Sequence, residues 1–160
     1  MPPHPPLYTA SVPVFRHYLD LVARMAEGAG VALDQRIADS FPARQHFATA
    51  AGFALRVACP LAGREVPGLP AALGPRLAVA RATLGAMRPE EFAGAEGRVI
   101  AHRAGEAELE QDGASFLHLY GMPNFLFHVT MGYASLRAAG VPLGKADFDG
   151  FHHYPAGFAF

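Results

Sequence analysis

Met122-Pro123-Asn124-Phe125-Leu126-Phe127-His128-Val129-Thr130-Met131-Gly132-Tyr133-Ala134-Ser135-Leu136-Arg137-Ala138-Ala139-Gly140 is a long apolar segment that reads as one nearly all-buried helix. Pro123 suits its first turn, where an amide proton has no intrahelical acceptor, and Gly140 suits the position just past its end. Two of its rows differ in character at helical spacing. Phe125, Val129, Gly132 and Leu136 form an apolar stripe, whereas Asn124, His128, Met131 and Ser135 set polar groups among apolar neighbours. The second stripe is where chemistry is expected.

Upstream, the period changes. Arg98 to Arg103 and Ala107 to Glu110 alternate around Ala104-Gly105-Glu106, the pattern of a small β-hairpin, and Ala114 to Tyr120 make a short helical lead from it into the last helix. Two strands alone are marginal in water, so the hairpin must lie against helices. Three further helices precede it. Thr9 or Ser11 is placed to cap the first, which runs from about Pro13 to Gly28 with His17 at its boundary; Asp39 or Ser40 is placed to cap the second, which runs from Pro42 to about Cys59; the third spans about Leu73 to Met87. Pro89-Glu90-Glu91-Phe92 has the form of a single helical turn. Past Gly140 comes a turn, then Phe148 and Phe151 to anchor the chain end before a fraying tail. The expected division is a disordered Pro-rich tail at 1–8, a helical domain at 9–150 and a C-terminal tail at 151–160.

A chain of 160 residues can bury roughly 70% of the surface it exposes when unfolded, enough to fold without staples. Charged residues are only 17% of it, against a usual share of about 25%, so helix faces are left with little polar cover and a homodimer or a ligand groove is expected. The net charge of −1, without a basic stripe, argues against nucleic acid as a partner. Cys59 is the one cysteine and sits in an apolar helix pattern, as suits a small hydrophobe in a reduced, cytoplasmic protein. The N-terminus lacks the charge and apolar core of a signal peptide, and no apolar run is long enough to span a bilayer, so no membrane partner is expected.

Phe41-Pro42-Ala43-Arg44-Gln45, Pro123 to Thr130, and Gly140 to Phe148 resemble the motifs of a bacterial family known as a domain of unknown function, in the DinB/YfiT-like superfamily. The likeness runs from Tyr8 to about Gly150. It implies an up-down-down-up four-helix bundle, often dimeric. Many superfamily members hold a divalent metal through three histidines, one on the second helix and two on the last, and some transfer thiols or isomerise thiol adducts. This chain keeps His128 on the last helix, with Asn124 one turn before it and Gly132 one turn after; the second helix has Ala51 and Gly52 where the family tends to carry an acid and a histidine.

A metal centre needs three or four converging donors. His46, His102, His118 and His128 stand on separate elements with no close pair in sequence, so no metal and no cofactor is expected from the residues themselves. The elbow that activates a nucleophilic serine and a phosphate-cradling glycine loop are also missing. What remains is a candidate ligand pocket of Arg44, Gln45, Tyr120, Asn124 and His128. The competing reading is structural: Asn124 and His128 bond to backbone or to Arg44 and Gln45 and hold the helices in register. The expected function is a soluble homodimer that binds an unknown small molecule, its metal site degenerate or absent. The alternative is a metal- or thiol-dependent transferase or isomerase using Zn or Ni, for which His46, His102 and His128 are the candidate ligands.

Overall fold

The computed structural model describes residues 3–158. The protein is mainly helical with one two-stranded antiparallel hairpin. A short helix α1 (Pro6–Thr9) leads into α2 (Val12–Glu27); α3 (Ala43–Leu61) and α4 (Leu73–Gly85) follow. Strands β1 (Val99–Ala104) and β2 (Ala107–Asp112) precede α5 (Gly113–Ser115), a π-helical segment (Phe116–Gly121) and α6 (Met122–Ala138). A last short helix is α7 (Lys145–Asp149). α3 is the central element, packed on α6 and α4, while α2 lies against α4 and α7. No helix among the described residues is long and apolar enough to cross a membrane.

The apolar stripe of the last helix is buried as its spacing predicts, with Phe125, Val129 and Leu136 all at 0% exposure. Gly132 completes it by omission. A methyl group there would stand 2.4 Å from the ring of Phe47 on α3, so glycine is what lets the two helices close. Phe15 of α2 meets Phe125 edge to face at 4.8 Å, which ties the third layer to the same stripe.

Several expectations are corrected at the ends of elements. The ordered chain begins before residue 9: Pro6 opens α1 at the position that tolerates a missing donor, and Leu7 is in the core. Neither Thr9 nor Ser11 caps α2 through its side chain, because each hydroxyl donates backwards, to Pro6 O and Leu7 O. Pro42, not Asp39 or Ser40, stands at the N-cap of α3, and Pro60 lies inside its final turn. The hairpin touches the body mainly through Ile100 and through His102, paired to Gln111, while most of β2 is exposed. Phe148 does anchor the chain end, packing on Tyr18 and Tyr133, and Phe151 stacks on His17. The expectations for residues 1, 2, 159 and 160 lie outside the described residues.

The last helix is longer than its sequence suggests. Asp112 caps it by accepting from Ser115 N at 2.9 Å, and helical backbone then continues through residues 113–138. Pro123 therefore sits inside a continuous helix, where it has no amide proton and its ring crowds the carbonyl one turn back. The wide turns of Phe116–Gly121 stand immediately upstream and absorb the mismatch. At the junction the Asn124 side chain donates to Tyr120 O at 2.8 Å, one turn back on the same helix.

Candidate functional site

His46 and His128, 82 residues apart in sequence, meet where α3 packs on α6: their Nδ1 atoms are 2.9 Å apart. Both are buried, at 2% and 8% exposure. A hydrogen bond between two imidazole nitrogens requires one proton, not two. His46 Nε2 is enclosed without a partner, so a proton there would be a buried orphan donor. The satisfied arrangement has His46 donating from Nδ1 to His128 Nδ1, which leaves His128 protonated on Nε2. Burial first, then the nearby His46 and Arg56, push His128 down to about 4, and burial lowers His46 too, so the pair is neutral near pH 7.

Aromatic rings enclose the pair. Phe53, Phe41 and His128 are close to parallel, with ring centres 5.6 Å and 6.3 Å from His128, and Phe127 meets both imidazoles edge-on. Phe53 is in the core, but Phe41 and Phe127 are 45% and 54% exposed and form an apolar lip toward solvent. The Arg56 guanidinium lies 4.2 Å over the Phe53 ring, a cation–π contact on the outer side of the cluster. On its other edge Phe53 meets Tyr120, which meets His102. One aromatic run thus joins the hairpin to the histidine pair.

Of the five residues expected to share a pocket, the structure links three. His128 is at the centre; Tyr120 reaches it through Phe53, with its hydroxyl donating to Arg103 O; Asn124 is tied to the Tyr120 carbonyl. Arg44 and Gln45 are exposed. Arg44 pairs with Asp34 at 2.8 Å and lines a separate groove of about 370 Å³ with Leu33, Leu73 and Leu77. Successive helical residues point about 100° apart, so burying His46 turns Arg44 and Gln45 outward. His128 accordingly bonds to neither of them, and its partner is the histidine between Gln45 and Phe47.

The absence of a close histidine pair in sequence is thus overturned in space. The readable signal was that His46, Ala50, Phe53 and Val57 share one stripe of α3, all buried. His102 stays with Gln111 and Tyr120, and His118 is exposed. Two imidazoles fall short of the three-histidine set that the resemblance implies, since Asn124 is committed to a carbonyl and Gly132 has no side chain. Among the described residues no group of three or more His, Cys, Asp or Glu is placed to hold a metal ion. Cys59 is buried and its thiol is pushed up to about 11, which suppresses the nucleophilic thiolate.

A family profile described as a domain of unknown function, DUF1993, matches residues 7–149. A solved structure of a DinB family member protein from Shewanella denitrificans is similar to this one, with a TM-score of 0.81 and 26% identity, covering 94% of this chain and 95% of that one. No curated protein matches. With the profile spanning nearly the whole chain and the neighbour sharing its fold end to end, the chain belongs to the DUF1993 family and has a DinB-like fold.

Proposed function

We propose that this protein is a small-molecule-binding DinB-like bundle of up-down-down-up topology, acting as a cytoplasmic homodimer, in which a neutral histidine pair replaces a complete metal centre. The observation that carries the reading is the His46–His128 pair at 2.9 Å behind the exposed rings of Phe41 and Phe127. An apolar lip over a few fixed polar groups is the usual make-up of a small-molecule site. The His128 Nε2–H gives a ligand one donor, and the flanking rings favour a flat apolar body. Dimerisation is supported by the exposed apolar residues of the last helix, Leu119 at 73% and Phe127 at 54%. A thermal-shift screen of the purified protein against flat heteroaromatic compounds tests it: binders must stabilise the wild type and lose that effect in His128→Ala.

A metal- or thiol-dependent transferase or isomerase is the second reading, and one distance favours it. Two nitrogens 2.9 Å apart match neighbouring ligands around a six-coordinate ion with bonds of about 2.1 Å. His46 and His128 would then be two of its ligands, and the remaining positions would fall to solvent or substrate. Metal recovered near one equivalent of Zn or Ni, or turnover of an electrophile with a low-molecular-weight thiol, establishes that reading and removes the first.

A further inference from the structure

About a quarter turn around α3 from His46, residues Thr49, Gly52 and Arg56 follow one another at helical spacing along the floor of an open groove of about 470 Å³. Its walls are Val66, Pro67 and Leu69 from the loop after α3, and Arg76 from α4. No carboxylate lines it. That sets its two arginines apart from Arg44, Arg64 and Arg81, which pair with Asp34, Glu91 and Asp20.

Arg76 is held in place rather than left free. Its Nε donates to Ala48 O at 2.8 Å and its Nη1 to Pro70 O at 3.0 Å, so two of five N–H groups fix the plane of the guanidinium. Nη2 has no acceptor among the described residues. It lies along Gly52, where a methyl group would stand 3.3 Å from it, so the lack of a side chain keeps that edge open. Arg56, on the same side of α3, is exposed, lies over the Phe53 ring and makes no ion pair with a carboxylate among the described residues. Thr49 gives its proton to Gln45 O and so presents lone pairs alone.

We infer that this groove binds a small organic anion, its carboxylate or phosphate taken by Arg76 and Arg56 and its apolar body laid on Val66, Pro67 and Leu69. Two cations without counter-charges in one concave site repel each other until an anion arrives, and a guanidinium already oriented by backbone carbonyls loses little freedom on binding. A ligand hydroxyl or amide donor suits Thr49. The site is separate from the histidine pair and does not depend on the function proposed for it.

The test is an amide chemical-shift titration of the full chain with benzoate, phenyl phosphate and, as a neutral control, benzamide. Saturable shifts at Thr49, Gly52, Arg56 and Leu69 with either anion, and not with benzamide, are expected; the tighter of the two identifies the headgroup. Arg56→Gln should weaken binding about tenfold or more, the loss of a charge-assisted hydrogen bond. Arg76→Lys, which keeps the charge and loses the fork, should weaken it similarly; if that variant does not fold, Arg56→Gln decides alone. Shifts equal for benzamide and benzoate, shifts confined to the groove at Leu73 and Leu77, no saturable shift with either anion, or unchanged affinity in folded Arg56→Gln each overturn the inference.

Discussion

His46 Nδ1 lies 2.9 Å from His128 Nδ1, and the single proton between them joins the first turn of the protein's central helix to its most apolar one. Truncating either ring therefore removes a helix-to-helix bond and leaves its partner with an unpaired nitrogen. His128→Ala is expected to cost about 1–3 kcal/mol in the metal-free protein, from the orphaned partner and a small cavity. Denaturant unfolding checks it. If the metal-free melting curve is unchanged and only a stabilisation by Zn²⁺ or Ni²⁺ disappears, the histidine is a metal ligand instead.

Stability should fall with pH in a defined window. The unfolded chain protonates His128 near 6.5, the folded protein only near 4, so between these values the unfolded state holds the extra proton. The contribution is complete above about 6.5 and is lost progressively toward 4, by about 3 kcal/mol. Unfolding free energies measured from pH 7.5 to 4 should show that slope in the wild type and a reduced one in His128→Gln.

Gly132→Ala tests the close approach of the two central helices. Its methyl group would meet the Phe47 ring at 2.4 Å, and overpacking of this kind costs about 1–3 kcal/mol. Phe47→Leu, which trims the obstructing ring, should recover part of the loss in the double variant. Additive losses would show that the two positions do not press on each other.

Asn124→Ala should remove the side-chain bond to the Tyr120 carbonyl at the end of the wide turns and cost about 1 kcal/mol. Amide exchange should quicken around residues 120–124 and stay unchanged in α2. Uniform acceleration across the protein would mean that the bond does not hold this junction.

Sedimentation is expected to give a dimer at tens of micromolar, and Phe127→Glu to shift it toward monomer without unfolding it. A wild-type monomer at that concentration removes the dimer from the proposed function.

The sequence is most legible where one periodicity governs a long segment. Phe125, Val129, Gly132 and Leu136 are predicted as a buried stripe from spacing alone, and all four are buried. Spacing says which face turns inward, not which residue waits there. Nothing local to His128 points to a partner 82 residues earlier, and the same blindness set Arg44 and Gln45 in the pocket while one position further lay the histidine that occupies it. Helix ends were the other weak point. Pro42 and Pro123 look alike as openers, yet one stands at an N-cap and the other is carried inside a helix by wide turns that no residue pattern announces.

Those wide turns make chain length itself a coded quantity. An α-helix turns by about 100° per residue, so the segment Phe116–Gly121 sets the phase between two halves of one rod. Upstream, Phe116 and Leu117 face the core; downstream, His128 faces His46. The wider winding holds one residue more than α-helix does over the same rotation, so deleting one residue there would restore regular winding and leave both halves near their present phase. A deletion elsewhere in the rod has no such slack and would swing its two halves apart by about 100°, so the wide turns are the one place where the rod is expected to tolerate a shorter count.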